Sequence, residues 1–237
     1  MSELDLYLKK HYLNKAQFAA ACQSSEAEID TLMQAQMLPA PSYVVTENAK
    51  ICSAVFGEME ATDTSSGDYF HPANTVWFDR AKQMIAAHGI DAAPAALKQE
   101  FIVNFSAALS ALNISLWNIA DSFEPDGTIK TTGLTERVEF SWKHFLLGTF
   151  GLCVANPVSE AAIANKEILQ EKLSALSENG AKASFSQAEA AELLPLVDAF
   201  AAAAMWFSPA EYHLCSRKRL VDDFRPRLQA IMTSAAG

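Results

Sequence analysis

The sequence lacks the closely spaced cysteines that would indicate a zinc site, a redox dithiol or a disulfide framework. Its four cysteines lie at positions 22, 52, 153 and 215, and no two of them are near one another in the chain. Cys22 and Cys153 fall within apolar helical patterns, where a free thiol behaves as a small hydrophobic side chain. We therefore expect free thiols in a reduced, intracellular protein.

Long apolar runs are also missing, which argues against a membrane protein. The richest apolar segment, residues 138–154, is interrupted by Glu139, Lys143 and His144, whereas a membrane span needs about 20 predominantly apolar residues. The first residues show no basic stretch followed by an apolar run, so no secretory leader is predicted. We expect a soluble cytoplasmic protein without a membrane partner.

Basic residues are scarce relative to acidic ones. The chain carries 18 Lys and Arg residues against 28 Asp and Glu residues, for a formal net charge of −10. Binding to nucleic acid depends on neutralising phosphates with basic side chains, and anionic membranes attract basic segments in the same way. The charge therefore argues against nucleic acid as a partner and favours a small-molecule ligand or a partner protein.

Familiar catalytic signatures are absent as well. The sequence has no Gly-rich dinucleotide or phosphate loop, no serine nucleophile elbow, no zinc-protease histidine pair and no kinase motifs. His144 has neither a histidine nor a carboxylate three or four residues away, which is the spacing that a metal site on a helix needs. The sequence thus indicates no metal, leaves any cofactor unknown, and does not decide whether the protein is an enzyme.

What the sequence does contain is a clear local pattern near its N-terminal end. Asn14 is followed three residues later by Gln17, and Ser25 by Glu28, and each pair has the arrangement of a helix capping box. Apolar residues then recur at helical spacing in both segments, which predicts two short helices around a tight turn. The pair resembles the helix-turn-helix of bacterial regulators, yet its second helix is acidic and contains no Lys or Arg.

The rest of the chain divides into a short β-rich stretch and a long helical part. Residues 43–45 and 52–56 are rich in β-branched and aromatic types and predict a hairpin, followed by a polar connector over residues 57–68. We therefore predict a winged helix-turn-helix-like N-terminal module over residues 1–90. Helical periodicity dominates from there on, and residues 91–237 are predicted to form a helical bundle domain. The expected fold class is all-α, mainly helical, with one short hairpin.

His71 and Trp77 are the first candidate ligand-binding residues. They belong to a segment with Tyr69 and Phe70 that combines a titratable imidazole with aromatic side chains just before a helix. Such a segment could place His71 as a general base or a ligand contact. The alternative is that His71 caps the helix while the aromatic side chains pack between the two halves of the chain.

The other candidates lie in the second half. His144 falls within a predicted helix over residues 136–154, as either a ligand contact or a hydrogen-bonded core histidine. Arg217 and Arg219 belong to a basic cluster that could hold a phosphate or a carboxylate through charge-assisted contacts. The alternative is a solvated face paired with neighbouring aspartates. The two arginines stand about 200° apart on an ideal helix, so we expect them to contact different partners.

Several segments spread over the chain carry a resemblance to a known family. They are residues 39–45, residues 53–57, residues 69–73 with Trp77, residues 148–153 and residues 216–222. In these segments the chain resembles an uncharacterised bacterial domain-of-unknown-function family that is often noted near natural-product biosynthesis genes. The resemblance implies a role beside secondary metabolism, and it supplies neither an activity nor a site residue.

Three functional hypotheses follow. The first is a cytoplasmic accessory or small-ligand-binding protein with an apolar pocket between bundle helices. The second is a transcriptional regulator, which requires the basic residues of the N-terminal module to gather on one face. The third is a natural-product tailoring enzyme, which requires histidines to converge with a carboxylate or an arginine in a cleft. A homodimer is compatible with all three.

Overall fold

The structure, a computed structural model, describes residues 1–234, and within them the chain forms ten α-helices and one five-stranded sheet. The elements of the first part are α1 (Glu3–His11), β1 (Leu13–Asn14), α2 (Lys15–Ala21), α3 (Glu26–Gln34), β2 (Tyr43–Val45), β3 (Lys50–Ser53), β4 (Gly57–Glu60) and β5 (Gly67–Phe70). The second part contains α4 (Asn74–His88), α5 (Ala93–Ser115), α6 (Thr131–Leu146), α7 (Phe150–Cys153), α8 (Glu160–Ser177), α9 (Gln187–Ala203) and α10 (Arg225–Ser234). Between α9 and α10 the chain forms a short 3-10 turn at Tyr212–Leu214 and a π-helical turn at Lys218–Asp222.

The sheet is antiparallel throughout and is joined directly to the helix-turn-helix. Its strand order is β1-β5-β2-β3-β4, and Leu13 of β1 lies opposite Phe70 of β5. Asn14 closes β1 and also caps α2, because its side chain accepts a hydrogen bond from the Gln17 N–H in the predicted capping box. Phe18 of α2 stacks on Phe70 with 4.7 Å between ring centroids. The helix pair is therefore fixed to the sheet.

The prediction of an all-α fold is wrong, because the sheet has five strands where the sequence predicted one short hairpin. The hairpin of β2 and β3 is present, but residues 57–68, predicted as a polar connector, contain β4 and the start of β5. β4 is an exposed edge strand, and Glu58 and Glu60 on it form ion pairs with Lys50 of β3. A solvated edge strand needs no apolar face, so its polar sequence is indistinguishable from a loop. The protein is mixed α and β, and the helical C-terminal part is confirmed.

The helical part is built around aromatic side chains from three helices. Phe101 of α5 lies 5.2 Å from both Trp142 and Phe145 of α6, measured between ring centroids, and Trp77 of α4 lies 4.6 Å from Phe145. The same buried apolar cluster includes Phe70 of the sheet, so sheet and helices share a core. No helix among the described residues combines the length and the apolar content needed to cross a bilayer.

Gly148 ends α6 and separates it from α7, where the sequence predicted one helix over residues 136–154. Its φ is +73°, and a β-carbon at this position would lie 2.4 Å from the carbonyl oxygen of Ala40. The Ala40 N–H also donates to the Leu146 carbonyl oxygen at 2.9 Å, so the loop before β2 lies directly on the junction. The break sets the direction of α7, which forms part of the site described below.

The buried carboxylate of Glu211 joins the sheet to the segment after α9. It accepts hydrogen bonds from Tyr43 Oη at 2.8 Å, from Ser208 Oγ at 3.2 Å and from the Ser53 hydroxyl. The chain forms turns at residues 209–211, ahead of Tyr212–Leu214. The Ser208 N–H donates to Tyr43 Oη at 3.2 Å, so the Tyr43 hydroxyl ties both Ser208 and Glu211 to the sheet.

Candidate functional site

A cavity of about 390 Å³ opens between α6, α7 and α8, and we name it the α6–α8 cavity. The turn between β3 and β4 and the segment that follows α9 complete its wall. Its polar lining residues are Ser141, His144, Thr149, Lys166, Glu167, Gln170, Ser216 and Arg219. Its apolar lining residues are Ala54, Val55, Phe56, Phe140, Phe150, Cys153, Phe207 and Leu214. The volume lies within the range of pockets that hold small molecules.

Two larger depressions lie elsewhere on the protein. One, of about 570 Å³, lies beside Lys98 and Glu139, and the other, of about 520 Å³, lies beside Lys10 and Trp206. The charged residues that line them are half-buried or exposed, so solvent already satisfies those charges. The α6–α8 cavity differs because a buried charged residue, Lys166, forms part of its wall. Buried charges need partners, which makes this cavity the candidate site.

Lys166 of α8 is the dominant charged group of the cavity. Its side chain is only 4% exposed, and its ammonium donates to Glu167 Oε1 at 2.8 Å. Burial by itself lowers the pKa of the Lys166 amine, but the neighbouring Cys153 and Glu167 hold that pKa above its ordinary value. The amine is therefore charged at neutral pH. Because an ammonium has three donor hydrogens, it retains donor capacity for a ligand.

Cys153 and His144 line the same cavity, and both side chains are uncharged at neutral pH. Burial raises the pKa of the Cys153 thiol to about 11, so at neutral pH this group is a thiol and not a nucleophilic thiolate. Burial also lowers the pKa of the His144 imidazole, which is therefore neutral at pH 7, and its Nδ1 lies 3.1 Å from Thr149 Oγ1. The wall thus offers hydrogen bonds and apolar contacts without an activated nucleophile.

Of the two candidate arginines, Arg219 lines the cavity and Arg217 does not. Arg219 Nε donates to Asn179 Oδ1 at 3.1 Å, and no carboxylate within residues 1–234 forms an ion pair with this guanidinium. Arg217 is buried, with its guanidinium carbon 3.9 Å from the ring centroid of Trp206 and its Nη1 donating to the Ala204 carbonyl oxygen at 2.7 Å. Arg217 therefore stabilises the chain after α9, whereas Arg219 is available to a ligand.

His71 and Trp77 lie outside the cavity, at the start of α4. His71 is buried, its Nδ1 accepts a hydrogen bond from the Ala73 N–H at 3.1 Å, and burial lowers the pKa of its imidazole to about 4. Trp77 Nε1 donates to the Pro157 carbonyl oxygen at 2.6 Å, and the Arg80 guanidinium lies over its ring at 4.4 Å. Both side chains hold α4 against its neighbours, so of the five candidate residues the cavity contains His144 and Arg219 only.

The sequence-based candidates missed Lys166, Glu167 and Cys153. A signal for Lys166 is present in α8, because Ile163, Lys166 and Leu173 lie on one face of an ideal helix and are all buried. A lysine on an otherwise apolar stripe indicates a charge that the fold must pair, since lysine is rarely buried without a partner. The contribution of Cys153 could not be found in this way, because it depends on the break between α6 and α7.

The second helix of the helix-turn-helix pairs with the basic residues around it. Lys15 Nζ lies 2.5 Å from Asp30 Oδ1, and Lys82 Nζ lies 2.5 Å from Glu28 Oε1. A surface that reads DNA needs basic side chains that are free to contact phosphates. In this structure, acidic residues of α3 engage both lysines.

No group of three or more His, Cys, Asp and Glu side chains is placed to hold a metal ion in the part of the chain that the structure describes.

The fold and the cavity define a mixed α/β protein whose helical half contains a partly buried, charged cavity. Residues 97–229 match the Family of unknown function (DUF6058), and the chain belongs to that family. The match runs from α5 into α10 and includes the whole cavity wall except the turn between β3 and β4.

No curated protein and no solved structure matches the chain. The expected membership of an uncharacterised family is confirmed by the match over residues 97–229. The expected association with natural-product biosynthesis stays a prediction.

Proposed function

We propose that the chain is an accessory protein that binds one small organic molecule in the α6–α8 cavity without transforming it. The observation that carries this proposal is the buried ammonium of Lys166 on the wall of a cavity of about 390 Å³. Burying a charge is costly unless hydrogen-bond partners replace the lost water. Glu167 and the Cys153 sulfur take only part of the donor capacity of the ammonium, so a bound acceptor group would complete it.

A histidine-based tailoring enzyme has less support than a binding protein. His71 is buried at the start of α4, His213 is exposed in the 3-10 turn, and only His144 lines the cavity. General base catalysis needs a base within hydrogen-bond reach of a reacting group, and the Cys153 thiol of the same cavity is protonated at neutral pH. A transcriptional regulator also has less support, because acidic residues of α3 already pair with nearby lysines.

Two further parts of the proposal rest on the sequence. We place the protein in the cytoplasm because its four cysteines are free thiols, which a reducing compartment maintains, and beside natural-product biosynthesis because of the resemblance described above. Either a small-molecule ligand or a partner protein fits an accessory role. A native mass spectrum of the purified protein tests the ligand and also gives the subunit count, including a homodimer.

Ala54→Trp is expected to abolish ligand binding. Ala54 is exposed in the turn between β3 and β4 and lines the cavity, so an indole there would occupy the entrance without disturbing the core. The native mass of the wild-type protein should exceed its denatured mass by that of one small molecule, and the Ala54→Trp protein should show no excess. Thr62→Trp, an exposed substitution after β4 outside the cavity wall, is the matched control and should keep the excess. An excess mass that persists in Ala54→Trp would contradict the proposal.

A further inference from the structure

The α6–α8 cavity is a positively charged site in an acidic protein. Its lining residues include two permanent cations, Lys166 and Arg219, and one carboxylate, Glu167. The chain as a whole carries a net charge of −10, so an excess of positive charge at one cavity is a local feature and not a property of the surface. The His144 imidazole is neutral at pH 7 because burial lowers its pKa. The cavity therefore favours a ligand with a negative charge.

The mouth of the same cavity is apolar. Three of the lining residues are large hydrophobic side chains that remain accessible to solvent, with Phe140 exposed by 64%, Leu214 by 44% and Val55 by 42%. They come from α6, the 3-10 turn and the turn between β3 and β4, and they meet only because the cavity brings these elements together. Apolar side chains that are grouped and exposed around a pocket indicate a surface that a ligand covers.

We propose that the ligand is an amphipathic carboxylate, with its carboxylate bound by Lys166 and its apolar chain lying across Phe140, Val55 and Leu214. This inference rests on the proposed function and names the chemical class of the ligand for that same cavity. The ammonium of Lys166 supplies charge-assisted hydrogen bonds inside the cavity. Arg219, whose Nε donates to Asn179 beyond the C-terminal end of α8, adds positive charge to the cavity wall at a distance from Lys166.

The balance of charges selects a carboxylate over other head groups. A ligand ammonium would be repelled by Lys166 and Arg219, and a neutral alcohol would leave the positive excess unpaired. A phosphate carries more negative charge than a carboxylate, and burying that extra charge is costly because the wall has only one more cation than carboxylates to compensate it. A single carboxylate therefore leaves the cavity closest to neutral.

The test compares four probes that share one apolar chain and differ in their head group: octanoate, octanol, octylamine and octyl phosphate. Isothermal titration calorimetry of the wild-type protein at neutral pH should show octanoate binding about tenfold more tightly than octanol, since a hydrogen bond to a charged group contributes about that factor. Octylamine should bind more weakly than octanol. Octyl phosphate should bind more weakly than octanoate.

Lys166→Met tests the head-group contact directly. Methionine is close to lysine in length and suits a buried site, and Glu167, which reaches solvent, tolerates the loss of its partner. The octanoate affinity should fall about tenfold, to that of octanol, while the octanol affinity stays unchanged. Lys172→Met removes the same charge from the same helix outside the cavity wall, where the lysine donates to the Leu116 carbonyl oxygen, and should leave both affinities unchanged.

Phe140→Ser tests the apolar contact without disturbing the core, because Phe140 is exposed. It should weaken octanoate binding several-fold and leave the binding of butyrate, which is too short to reach the mouth, unchanged. Ile114→Ser, an exposed substitution on α5 outside the cavity wall, is the matched control and should change neither affinity.

The outcomes separate this inference from the proposed function. Octanol binding as tightly as octanoate, or an octanoate affinity that survives Lys166→Met, would overturn the carboxylate assignment while binding blocked by Ala54→Trp still supports the cavity. Tighter binding of octyl phosphate or octylamine would overturn it in favour of that head group. If no probe binds and the native mass spectrum shows no excess, the inference and the proposed function fail together.

Discussion

Replacing Gly148 with alanine is expected to lower the free energy of unfolding by about 3 kcal/mol, from a left-handed backbone cost of roughly 1–2 kcal/mol and an overpacking cost of roughly 1–3 kcal/mol. Gly148 has a φ of +73°, and its β-carbon would lie 2.4 Å from the carbonyl oxygen of Ala40 and 2.9 Å from that of Pro41. Both obstacles are backbone atoms, so no change of rotamer relieves them. Thermal unfolding followed by circular dichroism should show a midpoint lower by roughly 6–12 °C.

Gly127→Ala separates the two costs. Gly127 has a φ of +86° in the turn that follows Glu124, but nothing lies within 4 Å of the position that its β-carbon would take. Its replacement should therefore cost only the backbone share, roughly 1–2 kcal/mol. Because α7 follows Gly148 and lines the α6–α8 cavity, Gly148→Ala should also weaken octanoate binding, whereas Gly127→Ala should not. Equal losses of stability in the two variants would contradict the close approach of the loop at Ala40.

The parts of the fold that follow from neighbouring residues could be predicted from the sequence. The capping box of Asn14 with Gln17 forms, and Ser25 caps α3 through the Glu28 N–H, because each contact depends only on groups within one helical turn. The second half of the Ser25 box does not form, because the Glu28 carboxylate bonds Ser24 and Lys82 instead. The strand β4 could not be predicted, because it is held by pairing with β3 and shows no apolar pattern of its own. Its partner β3 is the preceding strand, but a strand at a solvated edge needs no apolar face and so shows no local β pattern.

The residues of the candidate site could likewise be predicted only in part from the sequence. An imidazole and a guanidinium are recognisable as ligand contacts from their chemistry, and His144 and Arg219 do line the cavity. Whether such a side chain is used for packing is decided by the surrounding elements, which is why His71 and Trp77 lie in the core instead. Lys166 could have been singled out from its place on the apolar face of α8, since a buried charge is a strong local anomaly.

Acid is expected to lower the free energy of unfolding through His71, because the imidazole of this residue is buried in the folded protein. Burial lowers the pKa of the His71 imidazole to about 4 in the folded protein, with a smaller lowering from His11, while the backbone of Ala155 opposes the shift. In the unfolded chain the pKa is about 6.5. The unfolded state therefore binds the proton more readily, so stability falls as the pH drops from about 6.5 towards 4. The loss should reach about 2 kcal/mol at pH 5 relative to pH 7.5.

His71→Asn isolates this contribution from the other groups that titrate over the same range. The asparagine Oδ1 can take the place of Nδ1 as the acceptor for the Ala73 N–H, and the amide does not titrate. Urea unfolding of both proteins at pH 7.5 and pH 5 gives a stability difference at each pH, and every other group cancels between them. We expect that difference to move by about 2 kcal/mol in favour of the variant on acidification. A difference that stays constant would mean that the folded protein protonates His71 as easily as the unfolded chain does, which its burial does not allow.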